Sequence, residues 1–100
     1  MSRAVDRFVF AKLVEAEVAG RATLAATVRA ALTAAIGADG EVTVGLPADA
    51  SARRWDLAIV VRVRDLAGWE VLAARPAVAA LMRDLEARAE VVKAWTFTVE

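Results

Sequence analysis

The sequence contains no cysteine, no histidine and no tyrosine. Without cysteine the chain forms no disulfide, carries no thiolate nucleophile and offers no zinc–thiolate site. Histidine is the commonest acid/base group and metal ligand at neutral pH, and it is missing too. These absences exclude most of the familiar designs of an active site.

The chain has no excess of positive or negative charge, because its thirteen Lys and Arg residues balance thirteen Asp and Glu residues. A neutral chain generates no long-range field that would gather nucleic acid or anionic lipid, so we expect neither partner. One hundred residues suffice for one hydrophobic core, and we predict a single domain over residues 1–100.

Metal and cofactor signals are also lacking. No loop is rich enough in oxygen ligands for a metal ion, and the glycines at 37, 40 and 45 do not match a phosphate-binding loop. The only apolar run near the start, Phe8–Ala11, is too short for a signal peptide or a membrane span. We therefore expect a cytoplasmic protein with no metal, no cofactor and no membrane partner.

Four segments have strand patterns. Val5–Leu13 and Trp55–Val63 have continuous apolar centres, which predicts strands buried on both faces. Glu41–Pro47 alternates and is broken by Gly45 and Pro47, as an edge strand would be. Val92–Glu100 alternates with period two, which predicts a fourth strand.

Two segments have helical patterns. From about Ala19 to Ile36 apolar residues recur every four positions, and Gly37 supplies a helix stop. Asp65 is a candidate N-cap for the second helix. Pro76 breaks that helix and is expected at the first position of a new one, with Arg75 extended before it. Apolar residues then continue at helical spacing: Val78, Leu81, Met82 and Leu85.

The resulting order, β-α-β-β-α-β, predicts an α+β protein with the ferredoxin-like arrangement. Right-handed crossovers place both helices on one face of a four-stranded antiparallel sheet. Since two of the strands are apolar on both sides, the second face of the sheet needs a cover. A second copy of the chain is the simplest cover, because two-fold homodimers are the commonest assemblies. The alternative is that the loop after the second strand, or the start of the first helix, folds over that face.

The candidates for this second face are large apolar residues of three strands: Phe8, Phe10, Ile59, Val61, Trp95 and Phe97. The tryptophans at positions 55, 69 and 95 fit either a core or interface, or the wall of an aromatic ligand pocket. We favour the core or interface.

Four segments, "DRFVFAKL", "WDLAIVVRVRD", "AARPAV" and "VVKAWTFTV", resemble the stress-responsive dimeric α/β-barrel (Dabb) family. The resemblance spans nearly the whole chain and agrees with the element order. It implies a ferredoxin-like protomer whose sheet joins that of a partner to form a barrel across the dimer. Members of the family include stress-associated proteins and a plant polyketide cyclase.

The cyclase-like pattern of the family is only partly present. Its first helix histidine falls on Arg75, its proline on Pro76 and its second histidine on Val78. Its tyrosine falls on Leu72 and its first-strand histidine on Arg7. Arginine is always protonated and valine has no proton to give, so the acid/base mechanism of that pattern does not carry over.

Two functional hypotheses follow. The first is a homodimeric barrel module without catalysis, structural or binding a small apolar or anionic molecule. The second is a cyclase-like or cofactor-independent monooxygenase-like enzyme, in which Arg7 and Arg75 meet at a pocket between sheet and helices and stabilise an enolate or carboxylate. Leu72, Val78 and Trp69 would line that pocket.

Overall fold

Strands and helices alternate along the chain in the expected order. The computed structural model describes residues 3–100, and every helix within that range is too short or too polar to cross a membrane. The elements are β1 (Val5–Leu13), α1 (Glu15–Val18), α2 (Arg21–Ile36), β2 (Gly40–Gly45), β3 (Leu57–Val63), α3 (Leu66–Ala73), α4 (Pro76–Arg88) and β4 (Ala89–Thr98).

The four strands form one antiparallel sheet in the order β2-β3-β1-β4, which makes β2 and β4 the edges. In the centre of the sheet Phe8 stands opposite Val60 on one side and Trp95 on the other. The helices pack on one face. The α+β, ferredoxin-like prediction is confirmed, with β2 at an edge as its glycine and proline indicated.

The core lies between the sheet and the helices. Alternate residues of β1 and β3 are buried there, whereas their neighbours in sequence point to the other face. The helices contribute a stripe of side chains spaced by about one turn. The most completely buried side chains are Leu13, Val28, Leu32, Ile36, Leu57, Ile59, Leu72, Val78 and Leu85.

Three helix ends follow their sequence signals. The Asp65 side chain accepts a hydrogen bond of 2.7 Å from the Gly68 backbone N–H and caps α3. Pro76 is the first residue of α4, and Arg75 before it is extended, with φ −61° and ψ 132°. Gly37 ends α2 with φ +58°, a region that glycine enters without strain.

The element boundaries differ from the predicted ones at several places, including β2, which runs from Gly40 to Gly45 and not from Glu41 to Pro47. Gly20 lies in a turn, which divides the first helix into α1 and α2. Trp55 and Asp56 precede β3 because the Asp56 carboxylate accepts bonds from the Leu13 N–H and from Arg21. β4 begins at Ala89, directly after α4 and earlier than predicted.

Two residues proposed for the uncovered face belong to the core instead. Ile59 and Val61 are only 1% and 2% exposed. Their pairing partners in β1 are Val9 and Arg7, and Val9 is buried under the helices. Because residues opposite each other in a sheet share a face, the placement of Ile59 and Val61 with the phenylalanines is wrong. Ala58 and Val60 take that position in β3.

Candidate functional site

The sheet face turned away from the helices, hereafter the open face, carries a continuous aromatic cluster. Ring centroids lie 5.6 Å apart for Phe8 and Phe97, and 5.7 Å apart for Phe10 with each of Trp55 and Trp95. These are ordinary distances for edge-to-face and tilted aromatic contacts. Trp95 is 44% exposed and Phe97 57% exposed, so the edge of the cluster is in water.

The loop that follows β2 covers only one corner of the open face. It brings Trp55 against Phe10, where Leu46 and Pro47 help to line a small hollow. Trp95 and Phe97 on β4 lie outside this cover. The alternative in which the loop shields the whole open face therefore does not hold.

An ion pair lies at each end of the open face. Arg62 donates from Nε and Nη2 to the two carboxylate oxygens of Asp6, each at 2.8 Å. These hydrogen bonds hold the pKa of Asp6 below its usual range despite partial burial, and Asp6 raises the pKa of Arg62. At the other end Lys12 lies 3.5 Å from Glu90. Lys93, opposite Phe10, and Glu41, opposite Arg62, lie on the same face and form no salt bridge within residues 3–100. Because these two charges are of opposite sign, the open face carries little net charge.

Arg7 lies on the opposite face, between the sheet and α3. Its Nη1 donates to the Thr96 hydroxyl at 2.9 Å, and its guanidinium carbon lies 5.4 Å from the centroid of the Trp69 ring. Its Nε is buried and has no hydrogen-bond partner. Within residues 3–100 no carboxylate forms a salt bridge with Arg7. A partly buried guanidinium without a counter-charge can accept an anionic ligand.

Arg75 joins the start of α4 to the end of α2. Its Nη1 donates to the Ala35 carbonyl and its Nη2 to Asp39, both at 2.8 Å. The Ala35 carbonyl lies in the last turn of α2, where backbone acceptors lack helical partners. This arginine therefore has a structural role, because it hydrogen-bonds the start of α4 to the end of α2.

The structure does not bring the sequence-predicted ligand residues into one pocket. Arg75 and Leu72 line a cleft of about 610 Å3, whereas Arg7 does not contribute to it. Val78 is 1% exposed and belongs to the core. Trp69 lies against Arg7 and is not among the residues that line the cleft. Convergence of the two arginines, on which the enzyme hypothesis was built, is absent.

Sequence reasoning did not identify Thr96 as the partner of Arg7 or Asp39 as the partner of Arg75. The alternation of β4 placed Thr96 on the same side as Ala94, but its contact with Arg7 depends on strand register. Asp39 lies in a short turn with no distinguishing pattern. No cluster of three or more potential metal ligands occurs in the described part of the chain.

The fold and its two faces define the class of the protein, that of ferredoxin-like α+β folds with one sheet face that no helix covers. No family model matches the sequence, and no curated protein matches it.

Solved structures share the fold along nearly the whole chain. A dimeric ferredoxin-like protein of unknown function from Thermobifida fusca has a TM-score of 0.82 at 15% identity, covering 99% of this chain and 93% of its own. The hydroxynitrile lyase of Passiflora edulis has a TM-score of 0.82 at 11% identity, covering 100% and 96%. A dabb family protein with a ferredoxin-like fold from Mesorhizobium loti has a TM-score of 0.76 at 12% identity, covering 98% of each chain.

Proposed function

We propose that this chain is a homodimeric α/β module whose two copies cover each other's open faces. The observation that carries the proposal is the aromatic cluster of five rings on a sheet face that no helix covers. The proposal is supported by solved structures of the same fold, such as the Thermobifida fusca protein, that are dimeric. The two sheets would together form the barrel that the Dabb resemblance implies.

The area of the cluster is large enough for a stable dimer. From the exposure of Trp95 and Phe97 and the partial exposure of the other rings, each open face leaves on the order of 400 Å2 of apolar surface in water. At about 25 cal/mol per Å2, covering two such faces contributes roughly 20 kcal/mol. Association costs approximately 4 to 15 kcal/mol in lost translational and rotational freedom, and ordering of interface side chains adds about 0.5 to 1.5 kcal/mol for each long side chain, so this apolar contribution is of the size that a dimer requires.

An identical copy is a suitable occupant because the rim of the open face is internally compensated. The pairs Asp6–Arg62 and Lys12–Glu90 compensate each other, and the two other charges that the strand register places on this face, Lys93 and Glu41, are of opposite sign. A partner of strong opposite charge would gain little here, whereas a second aromatic face gains both area and ring contacts.

The exchange Trp95→Arg tests this proposal. The two-fold interface would bury one such guanidinium from each copy without a counter-charge, so we expect a monomer at concentrations where the wild type is a dimer. Val71→Arg is the matched control, because Val71 is 63% exposed on α3, away from the open face. Light scattering after size exclusion gives the masses, and circular dichroism confirms folding. A Trp95→Arg variant that is folded and still dimeric would contradict the proposal.

A second candidate function, binding of a small anion at Arg7, is favoured by one observation. The buried Nε of Arg7 has no acceptor, and no carboxylate neutralises the guanidinium in the described residues. A carboxylate or enolate could accept from Nε and one terminal nitrogen in the bidentate geometry that arginine offers. Trp69 would form one wall of the site.

The chemistry available at Arg7 is binding and charge stabilisation, not proton transfer. Arginine does not deprotonate near neutral pH, and the side chain that hydrogen-bonds to it is the Thr96 hydroxyl, which is no better a base. An enzyme built on this site would stabilise a developing negative charge while the substrate or water moves the proton. With Arg75 engaged by Asp39, this role would fall to Arg7 alone.

Benzoate is a suitable probe of the Arg7 site. We expect benzoate to shift the indole N–H resonance of Trp69, and we expect the shift to be lost in Arg7→Met, which keeps the packing and removes the charge. Trp69→Phe assigns the resonance. If the wild type and Arg7→Met respond equally, the anion site at Arg7 is refuted, and the dimer proposal is unaffected.

A further inference from the structure

The open face is not level, because its large side chains lie on two neighbouring strands. β1 and β4 carry four rings, hereafter the ridge: Phe8, Phe10, Trp95 and Phe97. β2 and β3 carry smaller residues, hereafter the groove: Thr43, Gly45, Ala58 and Val60. The strand register places the ridge and the groove side by side on one face of the sheet. One half of the open face is therefore high and the other half is low.

The step in height is clearest in the central row of the sheet. From the β2 edge to the β4 edge this row contains Thr43, Val60, Phe8 and Trp95. In the next row the groove is open above Gly45. An added Cβ there would meet one heavy atom of the described residues within 4 Å, apart from its chain neighbours, and that atom is the Ala58 carbonyl oxygen at 3.9 Å. A flat cover would leave a void over the groove, and atoms that line a void lose van der Waals contacts.

A second copy of the chain can cover the open face in two symmetric arrangements. Stacked sheets commonly keep their strands aligned to within about 30°, and a two-fold axis between them does so when it runs along the strands or straight across them. An axis along the strands, between β1 and β3, lays β4 of each copy over β2 of the other, and β1 over β3. The ridge of each copy then fills the groove of the other. An axis across the strands lays each strand over its own counterpart, so that ridge meets ridge and the two grooves face each other across a gap.

The charged row at one end of the open face favours the axis along the strands. Arg62 of β3 and Asp6 of β1 stand opposite each other in this row. The axis along the strands lays Arg62 of each copy over the partner's Asp6, so that opposite charges face each other twice. The bonds to Asp6 within one chain use Nε and Nη2 of Arg62, which leaves Nη1 for the partner's carboxylate. An axis across the strands lays β1 over β1, and the two ion pairs do not meet in this way.

We propose that the two copies are related by a two-fold axis parallel to the strands, with the ridge of each copy in the groove of the other. Trp95 then packs on the partner's Thr43, and Phe8 packs on the partner's Val60. The occupant is a second copy, because one face supplies both the ridge and the groove that receives it. This inference rests on the proposed dimer and adds the orientation of its two copies.

Cross-linking tests this orientation, and the absence of cysteine from the sequence makes each introduced thiol unique. Lys93 on β4 and Thr43 on β2 are exposed, and replacing them leaves the ridge intact. Within one chain they lie three strand spacings apart, roughly 14 Å, which is too far for a short bismaleimide. With the axis along the strands, β4 lies over the partner's β2. We therefore expect bismaleimidoethane to join Lys93→Cys to Thr43→Cys in mixed dimers and to join neither variant to itself.

The mass of the chains under denaturing conditions shows whether they are joined. Thr33→Cys, on the exposed side of α2, replaces Thr43→Cys in the control mixture and should give no cross-link. Cross-links within either variant alone would overturn the proposed axis, as would their absence from a mixture that is dimeric by mass. A monomeric wild type would overturn the dimer itself, so the two failures are distinguishable.

A change of side-chain size at Thr43 tests the same axis independently. Thr43→Trp would collide with the partner's Trp95, so we expect the dimer Kd to rise at least about tenfold. Trp95→Ala makes room for the new ring, so the double variant should dimerise at least about tenfold more tightly than the two single effects together predict. Thr33→Trp is the matched control and should leave Kd unchanged.

The axis across the strands gives the opposite result for Thr43→Trp. There the new rings would fill the gap between the two grooves and tighten the dimer. A Kd that falls in Thr43→Trp, or single effects that simply add in the double variant, would overturn the packing of ridge into groove.

Discussion

Truncation of Phe97 to alanine provides a quantitative test of the open face as an interface. Phe97 is 57% exposed, and an aromatic side chain can bury about 200 Å2, so roughly 110 Å2 of it is in water in one protomer. At about 25 cal/mol per Å2 the ring contributes nearly 3 kcal/mol when covered. A two-fold dimer buries two such rings, and alanine retains a small part of each. We therefore expect the dimer to lose about 4 kcal/mol, which is roughly a thousandfold in Kd.

The same exchange should have little effect on the folded protomer. Within one chain Phe97 contacts Phe8 edge to face at 5.6 Å, an interaction of about 0.5 to 1.5 kcal/mol. Sedimentation equilibrium measures the dimer Kd, and urea unfolding of the dilute protein measures protomer stability. Leu66→Ala is the matched control, because Leu66 is 51% exposed but lies on α3. If Kd changed by less than about threefold, or equally for Leu66→Ala, the reasoning from buried area would be refuted.

Three further exchanges test the fold and its charges. Gly40→Ala should destabilise the protein by about 1 to 3 kcal/mol in urea unfolding, because the new Cβ would lie 2.8 Å from the Arg62 carbonyl oxygen. Gly45→Ala is the control and should be nearly neutral, because the atom nearest to its new Cβ, the Ala58 carbonyl oxygen, is 3.9 Å away. Arg62 lowers the pKa of Asp6, so this pair stabilises the fold above the ordinary carboxyl pKa of about 3.9, and the contribution is lost as the pH falls through the lowered value. Asp6→Asn should therefore flatten the loss of stability below about pH 4, and an unchanged acid profile would argue against the pair. Arg75→Ala should lower stability by only about 1 kcal/mol, because the bonds of Arg75 are partly exposed to solvent, and it should not weaken the dimer. A larger change in the free energy of dimerisation than in the free energy of unfolding would contradict its structural role between α2 and α4.

The fold could be predicted because its signals are local. The uninterrupted apolar centre of β1 marks a strand, Asp65 marks the start of α3, and Pro76 marks the start of α4. Each of these depends on a few neighbouring residues and needs no knowledge of the rest of the chain. Alternation then separates each strand into two sets of side chains.

The sequence of a strand does not by itself determine which of its two sets of side chains faces the helices. In β3 both sets are apolar, Ala58 and Val60 on one side and Ile59 and Val61 on the other. The choice is made by pairing with β1, where the aromatic residues Phe8 and Phe10 lie opposite the smaller set. For this reason the prediction from the pattern alone placed Ile59 and Val61 on the wrong face.

The sequence could identify candidate residues by their type, but it could not predict their contacts. Arg7 stands out as a charged residue in an apolar strand, but its contact with Thr96 depends on a register set by residues far along the chain. Arg75 was assigned to a ligand by resemblance, whereas the structure directs it to the end of α2. The same side chain can serve either role, and only the neighbouring carbonyl and carboxylate decide between them.

The most direct test of the central claim is the mass of the wild-type protein in solution. Sedimentation equilibrium between roughly 1 and 100 μM covers the Kd range in which a stable dimer stays associated. The account predicts a particle of twice the 10.6 kDa of one chain throughout this range. A folded particle with the mass of a single chain at the highest concentration would contradict it.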